Sequence, residues 1–311
     1  WTLNPLVRGS SPRGPTRLYT TPGRLPVNGR FIAMAPEVHS LAAFINDAKS
    51  IAVLTGAGVS TTSGIPDYRD RDGEWKQSQP IQYGEFVRSE AARQRYWSRS
   101  YIGWQRFSKA APNPAHDALA QLEATGKVAS LITQNVDELH TRAGSRNVID
   151  LHGKLSKVRC LGCDAIIERA QFQAALEAAN PDWRASVTAI RADGDAELGN
   201  ANSAAFTVPH CEICGGIMKP DVVMFGESVP RARVEDALDA VEQADALLIA
   251  GSSLMVFSGF RFARHANATA TPIVIVNQGR TRADDLATLR IDADCSTVLP
   301  QAAKAVTTSS E

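Results

Sequence analysis

The chain has 311 residues, 44% of them hydrophobic and 21% charged, with Lys+Arg and Asp+Glu at 33 each. That length can bury one large core or two smaller ones, and the balanced charge creates no global basic field for nucleic acid or an anionic membrane. No apolar run approaches the ~18–20 residues that span a bilayer, so neither nucleic acid nor membrane is expected as a partner; composition leaves the oligomeric state open.

The first 36 residues carry five arginines and no Asp or Glu. Such a leader resembles a mitochondrial transit peptide, but Pro5, Pro12, Pro15, Pro22 and Pro26 would break the amphipathic helix it needs. Met34-Ala-Pro-Glu reads as a natural start. Residues 1–33 are therefore expected to be a disordered leader or a non-native extension.

Residues 51–54 form a short apolar run that ends abruptly in Gly56-Ala57-Gly58. This is how a buried parallel strand hands over to a tight turn. Small residues follow through Ser60 and Gly64, and Pro66-Asp67-Tyr68-Arg69 closes the segment. A loop so poor in side chains lets backbone N–H groups approach a phosphate, with Arg69 as a fixed cation. The bare G-A-G turn alone would fit a tight turn that binds nothing.

Further apolar runs lie at 129–133, 148–151, 222–225, 246–250 and 273–276, with helical patterns at 37–48, 85–109, 113–124, 169–179, 232–243 and 258–268. The alternation predicts an α/β fold with a doubly wound parallel sheet, whose near-continuous hydrophobic strands are covered on both faces. Such sheets bind ligands at the carboxyl ends of their strands. Five of those ends carry polar or glycine residues: Gly56-Ala57-Gly58, Gln134-Asn135, His152-Gly153, Gly251-Ser252-Ser253 and Asn277-Gln278-Gly279. Together they indicate one shared site. Gln134, Asn135 and Asp137 offer donors and acceptors that suit a carboxamide or ribose hydroxyls, although Asp137 also suits an Asx cap. His152, at a strand's carboxyl end, is placed as a general base near neutral pH. His116 reads as a cap or packing residue, and His39, His140 and His265 as helix residues in solvated or packing roles.

Residues 155–218 break the alternation. They are read as a small module inserted between 34–154 and 219–311, which together make the large domain. Cys160-x2-Cys163 and Cys211-x2-Cys214 are separated by 47 residues. Two such knuckles complete a tetrahedral S4 zinc site with no open position, hence structural. Disulfides are disfavoured without a secretory signal peptide. His210 is an alternative ligand that four cysteines make unnecessary. Cys295 is left as a buried small residue or a ligand contact.

These pieces resemble the sirtuin family. Its pattern is Gly56-Ala57-Gly58-Val59-Ser60 with Gly64-Ile65-Pro66-Asp67-Tyr68-Arg69, then Thr133-Gln134-Asn135-Val136-Asp137, Leu151-His152-Gly153 and the two cysteine pairs. It continues in Lys219-Pro220-Asp221-Val222-Val223-Met224-Phe225-Gly226-Glu227, Gly251-Ser252-Ser253-Leu254 and Val276-Asn277-Gln278. The match spans roughly 36–305 in family order, and the wording is similar to class II, which includes the mitochondrial lipoamidase/ADP-ribosyltransferase sirtuin.

The resemblance implies a Rossmann-like sheet with an inserted zinc-binding domain, and NAD consumed as a co-substrate. It implies an NAD-dependent protein lysine deacylase that releases nicotinamide and O-acyl-ADP-ribose, with His152 as the base for a ribose hydroxyl; the alternative is a protein mono-ADP-ribosyltransferase. Gly56, Ala57, Gly58, Ser60, Asp67, Tyr68 and Arg69 would form the cofactor loop. Gln134, Asn135, Val136 and Asp137 would frame nicotinamide and ribose. Gly251, Ser252, Ser253, Asn277, Gln278 and Gly279 would hold phosphate and adenosine ribose, with Cys295 near the adenine. Val223, Met224, Phe225, Gly226, Glu227 and Leu254 would sandwich the substrate backbone by β-augmentation. Cys160, Cys163, Cys211 and Cys214 would hold zinc. Tyr96-x-x-Arg99 has the spacing with which some class II members bind acidic acyl chains, but ordinary helix packing is the preferred reading. A dehydrogenase is disfavoured because the loop lacks G-x-G-x-x-G. Bacterial cytoplasm is the expected compartment, with the mitochondrial matrix as the alternative.

Overall fold

A computed structural model describes residues 24–27, 30–33, 35–76, 79–190, 195–198 and 202–308. Most of the expected leader, and parts of the polar run 193–200 within the expected insert, lie outside the described residues. In chain order the elements are β1 (Arg24–Val27), β2 (Arg30–Ala33), α1 (Pro36–Asp47), β3 (Ile51–Thr55), α2 (Tyr83–Arg88), α3 (Glu90–Phe107), α4 (Pro114–Ala124), β4 (Val128–Thr133), α5 (Leu139–Arg142) and β5 (Val148–Asp150). There follow β6 (Gly153–Cys160), β7 (Ile166–Glu168), α6 (Arg169–Ala179), β8 (Val187–Ile190), β9 (Ala196–Leu198) and β10 (Met218–Val222). The last are α7 (Arg231–Glu242), β11 (Ala246–Ala250), α8 (Phe257–Ala268), β12 (Ile273–Val276), β13 (Leu289–Ile291) and α9 (Cys295–Thr308). Strands β1 and β2, within the expected leader, pair as an antiparallel hairpin.

Six strands make one parallel sheet in the order β13-β12-β11-β3-β4-β5. The chain runs outward from β3 to β5, returns to lay β11 against the other side of β3, and runs outward again. Strand direction of travel thus reverses between β3 and β11, the topological switch point where doubly wound sheets bind ligands. Side chains alternate between two cores. Ile51, Val53, Leu248 and Val274 face Leu41, Leu119 and Leu299 of α1, α4 and α9. Ala52, Leu54, Leu247 and Ile249 face Val241, Phe262 and Ala266 of α7 and α8. Burial on both faces is why these strands read as unbroken apolar runs.

The expected helix 85–109 is broken at Ser89, whose extended backbone starts a new helix and whose Oγ accepts from the Ala92 amide at 3.2 Å. His116 closes a capping box on α4, its Nδ1 accepting from the Asn113 amide at 3.2 Å. The expected strand 222–225 is also different. The strand is β10, in a separate antiparallel sheet ordered β10-β6-β7. Beyond Val222 the chain turns, because Glu227 accepts from the Met224 amide at 2.8 Å and from Lys219 Nζ at 3.0 Å. Trp97, Phe172, Phe206 and Met218 form the core under this small sheet. Strands β6 and β10 run through positions 154/155 and 218/219, the expected domain boundaries.

Candidate active site

The switch point is closed by two backbones in contact. The Gly58 amide donates to the Gly251 carbonyl at 2.8 Å, and a Cβ on Gly58 would lie 2.9 Å from that oxygen. Only glycine permits this approach, so the G-A-G turn has a packing cause of its own. A cavity of about 740 Å³ opens across the strand ends. It is bordered by Gly56, Ala57, Gly58, Ser60, Asp67, Tyr68, Arg69, Gln134, Asn135, Val136, Asp137 and His152. Residues 223–227, Gly251, Ser252, Ser253, Leu254, Asn277 and Gln278 complete this list of expected positions. Two expected cofactor positions lie apart from it. Gly279 is covered by Arg71, whose carbonyl oxygen would be 2.4 Å from a Cβ there. Cys295 is buried, donates its Sγ to the Val276 carbonyl at 3.3 Å, and has its thiol pushed up to about 12 by burial.

His152 follows β5. Its Nδ1 lies 2.9 Å from the Gln134 carbonyl oxygen and its Nε2 lies 2.9 Å from Ser258 Oγ. A carbonyl only accepts, so Nδ1 carries the proton and the Nε2 lone pair accepts from the Ser258 hydroxyl. Burial lowers the His152 pKa to about 4, with Arg233 and Arg261 adding to the effect against the Gln134 carbonyl. The imidazole is therefore neutral at pH 7, as a general base must be.

The amide-rich strand end is held rigidly. Gln134 Nε2 donates to the Thr55 carbonyl at 3.1 Å and to Ser252 Oγ at 2.9 Å, tying the ends of β3, β4 and β11. Asn135 Nδ2 donates to Ser60 Oγ at 3.0 Å, and Ser60 Oγ donates to Asp137 Oδ2 at 2.7 Å. Asp137 also accepts from the amide of Leu139, the first residue of α5, at 2.9 Å while it borders the cavity; the N-cap position itself is Glu138. Burial raises its carboxyl above the usual range. Beneath this row His140 Nε2 lies 2.9 Å from Thr55 Oγ1, which donates to Thr133 Oγ1. On the loop side, Tyr68, Trp75 and Phe225 pack edge-on with centroids 5.5–6.2 Å apart, setting the loop of Tyr68 and Trp75 against residues 223–227. Arg69 lies 4.1 Å over the Trp75 ring.

Ser258 and Trp75 escaped the sequence reading. An isolated serine has no signature, and Trp75 falls in a charged loop with no strand or helix period. Tyr96 borders the same cavity, whereas Arg99 donates to the Ala196 carbonyl at 3.1 Å.

The four cysteine sulfurs lie within 4.8 Å of one another, with Cys160 and Cys214 at 3.4 Å and Cys163 and Cys211 at 3.7 Å. Zn–S bonds of about 2.3 Å in a tetrahedron require sulfur separations of about 3.8 Å, so the donor set fits zinc. His210 is not part of this cluster. Among the described residues no helix is long and apolar enough to cross a membrane.

A glycine-lined switch point beside a neutral imidazole defines a nucleotide-binding α/β enzyme. Residues 56–258 match the sequence profile of the Sir2 family. The chain is similar to the NAD-dependent protein deacetylase 2 of Bradyrhizobium diazoefficiens, at 55% identity over 84% of this chain and 95% of the relative. It is 46% identical to the mitochondrial NAD-dependent protein lipoamidase sirtuin-4 of Bos taurus, over 88% of this chain and 89% of that protein. Among solved structures, one described as the basis for the mechanism and regulation of Sir2 enzymes superposes with a TM-score of 0.70 at 32% identity, covering 88% of this chain and 99% of the other. A Sir2 protein bound to acetylated peptide gives 0.68 at 29% identity, covering 84% and 94%. The chain belongs to the Sir2, or sirtuin, family.

Proposed function

We propose that the protein is an NAD-dependent protein lysine deacylase, releasing nicotinamide and O-acyl-ADP-ribose and leaving free lysine. The observation that carries this reading is His152, which borders the cavity with its Nδ1 on the Gln134 carbonyl and its Nε2 on the Ser258 hydroxyl, itself a cavity residue. NAD supplies an activated ribosyl carbon with nicotinamide as its leaving group. Asn135 and Asp137, pinned through Ser60, are placed to hold the carboxamide and ribose. The acyl-lysine enters between residues 223–227 and Leu254, and Phe225 and Tyr68 shield it from water. The acyl oxygen would bond to the ribosyl carbon as nicotinamide leaves; His152 would then take the proton from a ribose hydroxyl as its oxygen attacks the acyl carbon, and water would complete release of the lysine amine, with Ser258 orienting the imidazole until then.

Residues 155–218 are assigned to a small zinc-binding module between the two parts of the large domain, 34–154 and 219–311. Four thiolates leave no open position on the metal, so its chemistry is structural. The compartment is read as bacterial cytoplasm, which the bacterial relative and the four reduced cysteines of the zinc site support.

The test is to incubate the protein with NAD and peptides carrying a panel of acyl groups, and to follow nicotinamide release and peptide mass. Release with one or more acyl groups is expected, and none with any would refute the reading. Label from NAD found on protein instead of on a small molecule would make it an ADP-ribosyltransferase.

A further inference from the structure

The two substrate edges each run into a helix whose opening turns are basic. Residues 223–227 lead through Pro230 to Arg231 and Arg233 in the first turn of α7. Residues 254–256 lead directly into α8, which carries Arg261 and Arg264. Neither helix has an acidic residue in its first turn. Because a helix N-terminus is already partially positive, the placement of Arg231 and Arg233 opposes the helix dipole. The two helices pack on the same face of the sheet through Ala237, Val241, Phe262 and Ala266; Arg231 and Arg261 border the cavity, and the charges of Arg233 and Arg261 are felt at His152.

Of the four, only Arg231 is paired with a local carboxylate. Glu235 is taken by Arg231 at 2.6 Å, and Glu227 by Lys219 at 3.0 Å. Asp150, whose carboxyl feels Arg233, is held by Lys154 at 3.1 Å. Among the described residues, Arg233, Arg261 and Arg264 have no carboxylate within 4.0 Å. Arg261 borders the cavity, and its Nε is buried without a hydrogen-bond partner. Arg261 and Arg264 flank the half-exposed Phe257 ring at 5.3 and 5.9 Å. All four cations are arginines, whose planar forks match carboxylates and phosphates in two-point geometry.

We propose that this arginine rim reads an anionic side chain of the substrate (Asp, Glu or phosphoserine) within about two positions of the acylated lysine. Two positions correspond to about 7 Å of extended backbone, within an arginine's reach of the groove. The inference rests on the deacylase reading and names the class of peptide that it acts on.

The test uses one acetylated peptide with Ala, Glu, phosphoserine or Lys at each of the two positions on either side of the acyl-lysine. The expected result is kcat/KM about tenfold higher for Glu or phosphoserine than for Lys at low salt, shrinking in high salt as the charges are screened. The Glu and phosphoserine arms show which anion is preferred. In Arg261→Ala and Arg233→Ala the Glu-to-Ala ratio falls to about 1, with the loss in KM, and Arg261→Lys keeps part of it. Equal kcat/KM for Glu, Ala and Lys in the unmodified protein overturns the proposal, and that result needs no variant to fold. A preference that follows a carboxylate on the acyl chain, and not on the flanks, also overturns it. If no peptide turns over, the deacylase reading fails separately, and fluorescence anisotropy of the same peptides decides the rim.

Discussion

His152 Nδ1 is fixed 2.9 Å from the carbonyl oxygen of Gln134, which follows the last residue of β4. One backbone group thereby sets the tautomer of the imidazole, and the same residue's side chain ties β3 to the loop after β11. His152 and the cavity's Gln134 and Ser252 are thus parts of one hydrogen-bonded strand-end assembly. Replacing His152 with Ala should lower kcat/KM for nicotinamide-coupled deacylation by ~10²–10⁴, the usual worth of a general base. Ser258→Ala should cost less than about tenfold, because the ribose hydroxyl takes over its place on Nε2. Steady-state assays of both variants check the order; a larger loss for Ser258 would contradict it.

The acid limb of the kcat/KM profile reports the free enzyme's base. Burial holds His152 at about 4, so the imidazole stays unprotonated well below its ordinary value. Activity should persist to about pH 5 before protonation removes it. A midpoint near 7 would mean that His152 is solvated in the free enzyme.

Stability has its own pH dependence. Burial lowers His116 and His152 to about 4 and His140 well below the ordinary value, the neighbouring His116 adding to the effect on His140. Above pH 6.5 these rings are neutral in both folded and unfolded chains and contribute no difference. As pH falls from 6.5 towards 4 the unfolded chain takes up protons that the folded chain refuses, so stability declines. Each of His116 and His152 accounts for about 3 kcal/mol in the acid limit. Asp137 and Asp150, whose carboxyls burial raises, act in the reverse sense as pH climbs from 3.8. Urea unfolding should show a midpoint dropping between pH 6.5 and 5, and His116→Gln should flatten that slope. An unchanged slope in the variant would show that His116 does not carry it.

Much of this was legible in the chain itself. Strands β3, β4, β11 and β12 announce themselves because residues such as Ile51, Val53, Leu54, Leu248 and Ile249 are buried whichever face they point to. Strand β13 does not, because it is only three residues long and its central Arg290 turns to Asp284 at 2.9 Å. The run 222–225 misleads because the contact that ends the strand comes from Lys219 and Glu227. In the site, Gly58 and His152 are visible by type and place. Ser258 and the Arg261 rim depend on α7 and α8 lying side by side, which no local pattern encodes.

The zinc cluster should matter to turnover without touching substrate. Cys160 ends β6 and pairs across to Met218 of β10, and the other ends of these strands meet His152 and Val223. The Val223 amide donates to the His152 carbonyl at 2.8 Å. Cys211→Ser should reduce zinc from about one per chain to near zero, because loss of one thiolate opens the tetrahedral set. The same variant should unfold at a temperature about 10 °C lower or more, with activity lost in step. Metal analysis and calorimetry check this; full zinc content with normal stability would contradict it.

Gly153, the residue after His152, is tightly constrained. Gly153 has φ of +82°, and a Cβ there would fall 2.1 Å from the Asp221 carbonyl oxygen. Gly126 has nearly the same backbone, φ of +78°, with nothing within 4 Å of a Cβ. The two positions separate backbone strain from collision. Gly126→Ala should cost about 1 kcal/mol, the price of a left-handed alanine alone. Gly153→Ala must also push β10 away from β6, and should cost at least about 2–3 kcal/mol. The same displacement breaks the link between Val223 and His152, so kcat/KM should fall at temperatures where the variant is still folded. Equal destabilisation by the two alanines, with activity retained in both, would show that β6 and β10 can part at Gly153 without disturbing the base.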